Sequence, residues 1–200
     1  MGIMRIEDNR SSVGVAEAIA DPMADHLRVY REQYREKLIE LAATTRDLAV
    51  SHRPVPFKVG SAVLLAESGD TPIYTPYASH NFTPTPGKRT GGDKRCAERN
   101  ALDTALLSDN KGTVVAITTV SRESSTGDPT KAHDVLHPCE ECRRLMRQLV
   151  GQGSLREDSV LTSVNDSRGT GDMMVTEEAT VGKILAKYAD DEKEREVVAA

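Results

Sequence analysis

Apolar side chains recur at Leu27, Tyr30, Tyr34, Leu38, Leu41 and Leu48, in steps of three, four or their sum, with Arg28, Arg31, Glu32, Arg35 and Glu36 between them. That period predicts a long amphipathic helix, capped by Asp21 with Pro22 in its first turn and ending before Pro54. One face packs on a core and the charged face is solvated. The pattern then shortens. Val59 to Ala66 and Ile73 to Ala78 are apolar runs of strand length, and Glu67-Ser68-Gly69-Asp70 between them suits a hairpin turn.

Further on, the helical period returns over Cys96 to Leu107, with Ala101, Leu102, Ala105 and Leu106 facing inward. Val114 to Val120 is apolar enough for a buried strand. A polar loop, Ser121 to Asp134, leads to a second helix from Pro138 to about Val150 that buries Leu145, Met146 and Leu149. Ser159 to Val164 and Met173 to Val175 predict the last two strands. The connection between them, Asn165 to Asp172, is too short for a crossover helix, so this pair should be antiparallel. Thr180 to Tyr188 closes the chain with a helix. The expected fold is a three-layer α/β/α domain over residues 21–190 with a mixed five-stranded sheet. A polar, small-residue N-terminus (1–20) is expected to be flexible, and a charged tail (191–200) follows.

Composition narrows the function. Two hundred residues at 38% hydrophobic suit one domain with a sizeable core. A net charge of -5 argues against a mainly electrostatic grip on a polynucleotide. No segment has the apolar length of a membrane span, and the first twenty residues lack a signal-peptide pattern, so a cytoplasmic protein is expected. The three cysteines are spaced as metal ligands rather than as a disulfide framework, which points to a reducing compartment.

Those cysteines carry the candidate chemistry. Cys139 and Cys142 are three residues apart, on one face of a helix, and Cys96 would supply a third sulfur from elsewhere. Three protein ligands leave one position open on a zinc ion, as catalytic rather than structural sites do. Glu98, two residues past Cys96, is the expected proton shuttle. Helix dipoles at both clusters should favour thiolates, and Arg99 and Arg143, each directly after a ligand, could withdraw charge from the sulfurs. A closed structural site, with His80, His133 or His137 as fourth ligand, is the alternative.

Cys96-Ala97-Glu98-Arg99 resembles the zinc and proton-shuttle motif of the cytidine deaminase family, and Pro138-Cys139 through Cys142-Arg143 resembles its second half. Phe57-Lys58-Val59-Gly60-Ser61-Ala62-Val63-Leu64 is similar to that family's first strand and its approach. Thr180-Val181-Gly182-Lys183-Ile184-Leu185 is similar to its closing helix, so the likeness covers roughly Asp21 to Asp190. The resemblance implies hydrolytic deamination of an aminopyrimidine nucleoside, one zinc ion per subunit and a homotetramer. Ala97 would offer its backbone N–H to the base carbonyl, and Phe57 would line the nucleoside pocket or simply pack at the strand's start. An antiparallel final strand pair resembles the cytidine deaminase branch; deoxycytidylate and tRNA-adenosine deaminases place a helix there.

One loop departs from the family. Its Asn-x-Glu pair, which grips the ribose hydroxyls, is replaced at the corresponding spacing by Thr85 and Gly87, and Asn81 could take part of that role. The surrounding segment, Ser79 to Arg95, carries Lys88, Arg89, Lys94 and Arg95. A phosphorylated or otherwise modified aminopyrimidine nucleoside suits such a loop better than free cytidine, and the family that the chain resembles includes blasticidin-S deaminases, which accept an elaborated cytosine nucleoside.

Overall fold

A computed structural model describes residues 21–49, 58–67, 69, 71–82, 95–108, 112–121, 135–166 and 175–189. The expectations for the flanks 1–20 and 191–200, for Phe57, Thr85, Gly87, Lys88, Arg89, Lys94 and His133, and for most of the loops around them, lie outside these residues.

The first helix begins where its cap predicts. Asp21 accepts from the Met23 amide at 3.1 Å and Pro22 opens helix α1 (Pro22–Val29). The helix continues through a π-helical turn (Tyr30–Tyr34) into α2 (Arg35–Leu48). A π turn inserts residues without breaking the helix, and so rotates its buried stripe. Met23, Tyr30, Leu38, Ile39, Ala42, Ala43 and Arg46 are buried, whereas Leu48, expected inward, is 66% exposed.

The strands are β1 (Val59–Glu67), β2 (Ile73–His80), β3 (Thr113–Ser121), β4 (Leu155–Asn165) and β5 (Val175–Thr180). They form one mixed sheet in the order β2-β1-β3-β4-β5. Only β3 and β4 run parallel; β1 pairs antiparallel with both neighbours, and β4 with β5. The antiparallel final pair is as expected; β5 runs over Val175–Thr180, while Met173 and Met174 lie outside the described residues. The remaining helices are α3 (Ala97–Leu107), α4 (Glu140–Gly151) and α5 (Val181–Lys187).

Alternation along the strands splits the core in two. Ala62, Leu64, Ala66, Val120, Val160 and Val164 meet Met23, Tyr30, Leu38, Ile39 and Ala42 on one face. Val63, Leu65, Ile117 and Leu161 meet Ala101, Leu102, Met146, Leu149, Val181 and Ile184 on the other. Each of these larger side chains contributes on the order of 1.5–3 kcal/mol by leaving water. Gly60 sets the spacing on the first face: a Cβ there would sit 1.9 Å from the Ala42 carbonyl oxygen and 2.6 Å from the Arg46 amide nitrogen. Among the described residues, no helix is long and apolar enough to cross a membrane.

Candidate metal centre

Both ligand clusters form where a strand hands over to a helix at the same edge of the sheet. After β2, Phe82 and Arg95 exchange backbone hydrogen bonds at 3.0 and 3.2 Å, which brings Cys96 back to the strand end. Asn100 then donates its amide to the His80 carbonyl at 2.9 Å and ties the first turn of α3 to β2. After β3, the chain returns at Val135–Cys139 and enters α4, which runs back toward the start of β4. The α4 N-terminus thus follows the C-terminal edge of the parallel pair, where open sheets hold their sites.

Cys96 and Cys139 are the N-caps of α3 and α4, both in extended conformation, and Cys142 sits in the first turn of α4. Pro138 lies outside the helix, which starts at Glu140, so its expected place in the first turn is corrected: the N-cap is Cys139, and proline serves the extended approach to it. The three sulfurs lie within 4.8 Å of one another, with 3.2 Å between Cys96 and Cys139, and none of them is in a disulfide. Among the described residues they form the one group of three or more potential metal ligands, and neither His80 nor His137 joins it.

Crowding governs their protonation. Hydrogen bonding to Cys139 is the largest influence on Cys96 and pushes its thiol up from 9.0 to about 12, with burial and the nearby Glu98 charge acting in the same direction. Cys142 is pushed up as well, by hydrogen bonds to Cys139 and Cys96 and then by burial. The helix dipoles, expected to favour thiolates, are outweighed: three sulfurs this close cannot share negative charge without a cation. A divalent ion reverses that balance, because coordination deprotonates thiols outright. The donor set, three soft sulfurs with no imidazole joining them among the described residues, suits zinc among the borderline-soft ions.

Glu98 occupies the second position of α3 and is 3% exposed. Its Oε2 lies 4.0 Å from Cys142 Sγ. Ala97, also buried, stands between it and Cys96. Beneath the site, the sheet face that carries Val63, Ile117 and Leu161 changes character toward the strand ends. There it presents Ser61, Thr119, Ser121, Ser163 and Asn165, all 2% exposed or less. The sequence reading missed this polar floor, although the alternating Ser and Thr positions in Thr118 to Ser121 and Thr162 to Asn165 spell it.

The two arginines part company. Arg99 is exposed and pairs with Asp103 at 3.8 Å, one turn along its own helix. Arg143 is 9% exposed and folds back to donate from Nη1 to the Pro138 carbonyl at 2.7 Å. Asn81, 5% exposed, uses its side-chain oxygen to accept from the Val59 amide at 2.8 Å, while its own amide donates to the Val59 carbonyl at 3.0 Å. It thereby staples the end of β2 to the start of β1.

The fold and site together define an α/β/α domain with a three-cysteine cluster close enough to bind a metal ion. No family model matches the chain, and no curated protein matches it.

Proposed function

We propose that the chain is a zinc-dependent hydrolytic deaminase of the cytidine deaminase kind, acting on an aminopyrimidine nucleoside. The observation that carries this reading is a buried carboxylate, Glu98, set 4.0 Å from one sulfur of a three-cysteine group that offers no fourth protein donor among the described residues. A structural zinc site has no use for such a carboxylate; a hydrolytic one needs it to move protons.

Cys96, Cys139 and Cys142 would hold the ion, which when bound supplies Lewis acidity and lowers the pKa of water. Glu98 takes a proton from the attacking water and returns it to the ring nitrogen. It then delivers the second proton to the departing amino group, so that amine and water become carbonyl and ammonia. Its burial excludes bulk water from these transfers. The backbone N–H of Ala97, at the first position of α3, belongs to the helix-start amides that lack an intrahelical carbonyl, and would be the donor to the base carbonyl. A modified or phosphorylated cytosine nucleoside is favoured over free cytidine because Thr85 and Gly87 stand where the family's ribose-binding pair is found.

The deciding experiment is an ammonia-release panel on zinc-loaded protein with cytidine, deoxycytidine, their monophosphates, blasticidin S and aminopurines. Release from a cytosine compound that stops on Glu98→Ala supports the assignment. Stable zinc binding with no release from any compound makes the chain a zinc-stabilised interaction module instead.

A further inference from the structure

Behind the metal-ligand turn, the C-terminal helix contributes a side chain to the centre that no motif marks. Tyr188 caps α5, and its ring lies 4.3 Å from the guanidinium carbon of Arg143. The same guanidinium donates to the Pro138 carbonyl at 2.7 Å, while the Arg143 amide donates to the Cys139 carbonyl at 2.9 Å. His137, two residues before Cys139, has its ring 6.0 Å from that of Tyr188 and its Nε2 3.4 Å from Glu177 of β5. The extended approach His137-Pro138-Cys139 is therefore gripped by groups from α5 and β5, both far along the chain.

We infer that Tyr188 is a positioning residue for the metal centre: its ring fixes the Arg143 guanidinium, which holds the Pro138 carbonyl and so the angle at which Cys139 presents its sulfur. This rests on the reading of the three cysteines as zinc ligands. A planar guanidinium is suited to the task, since it can stack on the tyrosine face while its edge donates to a carbonyl in a fixed direction. A lysine ammonium supplies the same charge without that geometry. Charge withdrawal and positioning therefore make different demands on position 143. Groups that orient a metal ligand without touching the metal govern how long it is retained.

The test measures zinc release from loaded protein to a chromophoric chelator, with the melting temperature of the metal-free form as a control on folding. Tyr188→Leu and Arg143→Lys are each expected to speed release by roughly 10–100-fold, and Tyr188→Phe, which keeps the ring, to behave as wild type. Release from Tyr188→Leu at the wild-type rate would overturn the inference, as would full retention by Arg143→Lys, which assigns Arg143 to charge alone. A Tyr188→Leu chain that melts lower when metal-free yet releases zinc normally marks a packing role only and likewise overturns it. A wild-type chain that takes up no zinc sinks the metal site itself and the clamp with it, an outcome separate from a wild type that holds zinc while the variants do too.

Discussion

The Glu98 carboxylate faces the Cys142 sulfur at 4.0 Å, both side chains buried at the starts of two helices from different parts of the chain. Glu98 stands outside the group of three sulfurs, so the ion would not need it as a ligand. Glu98→Gln removes its charge with little change in shape. Zinc content should stay at one ion per chain, and ammonia release should fall by about 10²–10⁴-fold, the usual contribution of a positioned proton-transfer group. Parallel elemental analysis and ammonia assay of the same preparation check both halves. Loss of zinc together with activity would instead make Glu98 part of the ligand scaffold.

The raised thiols give the metal-free fold a specific response to pH. Cys96 holds its proton up to about 12 in the folded chain, against 9.0 ordinarily, so the unfolded chain releases that proton first. Stability present below the ordinary thiol value is therefore lost as pH rises through about 9 toward 12, and Cys142 adds in the same direction. Zinc-loaded protein should behave oppositely: its sulfurs are already thiolates, and acid, by protonating them, expels the ion. Thermal melts from about pH 5 to about pH 10, with and without chelator, are expected to differ most at the alkaline end and to converge at the acid end. Melts that coincide throughout would show that no metal contributes to the folded state.

Much of this architecture can be read from residue patterns, and the misses share a cause. The Asp21 cap, the β1–β2 hairpin and the antiparallel β4–β5 pair follow from local signals: a capping side chain, a turn-rich connection and a connection too short to cross over. The sulfur cluster was legible because ligand chemistry imposes spacing. Tertiary effects were not. A π turn leaves apolar residues near helical spacing but rotates the face, which is why Leu48 points out while Arg46 points in. The strand β5 reads as polar because it is an edge, with Glu177 and Glu178 exposed. The stacking of Tyr188 on Arg143 joins residues whose sequence positions say nothing of each other.

Gly60 lets the α2 backbone pack directly on β1. A methyl group at this position would approach the Ala42 carbonyl oxygen to 1.9 Å, and both the oxygen and the neighbouring Arg46 amide belong to backbone that cannot turn aside. Gly60→Ala should therefore push α2 off the sheet at a cost of about 3 kcal/mol or more. Urea denaturation of the variant would show it as a lowered midpoint. Ala62→Gly, two residues on and facing the same way, should cost less, because it removes a methyl rather than inserting one. A near-neutral Gly60→Ala would mean that α2 is free to slide along β1.

Arg46 and Asp166 form the one ion pair among the described residues in which both side chains are only 2% exposed, with Nη1 and Oδ2 2.8 Å apart. Arg46 also reaches Asp47 at 2.9 Å, but that carboxylate is 58% exposed and weakly coupled. Asp166 lies just past β4, and its amide donates to the Ser121 carbonyl at 2.7 Å, so the pair fastens α2 to the sheet edge that carries the metal-ligand turns. Removing one partner strands a buried charge. Asp166→Ala should cost about 3–5 kcal/mol, while Arg46→Met combined with Asp166→Leu, which removes both charges and keeps the volume, should cost much less. Denaturation of Arg46→Met, Asp166→Leu and the variant carrying both gives the coupling directly. Additive losses would show that the two side chains act independently and that some other contact holds α2 at this edge.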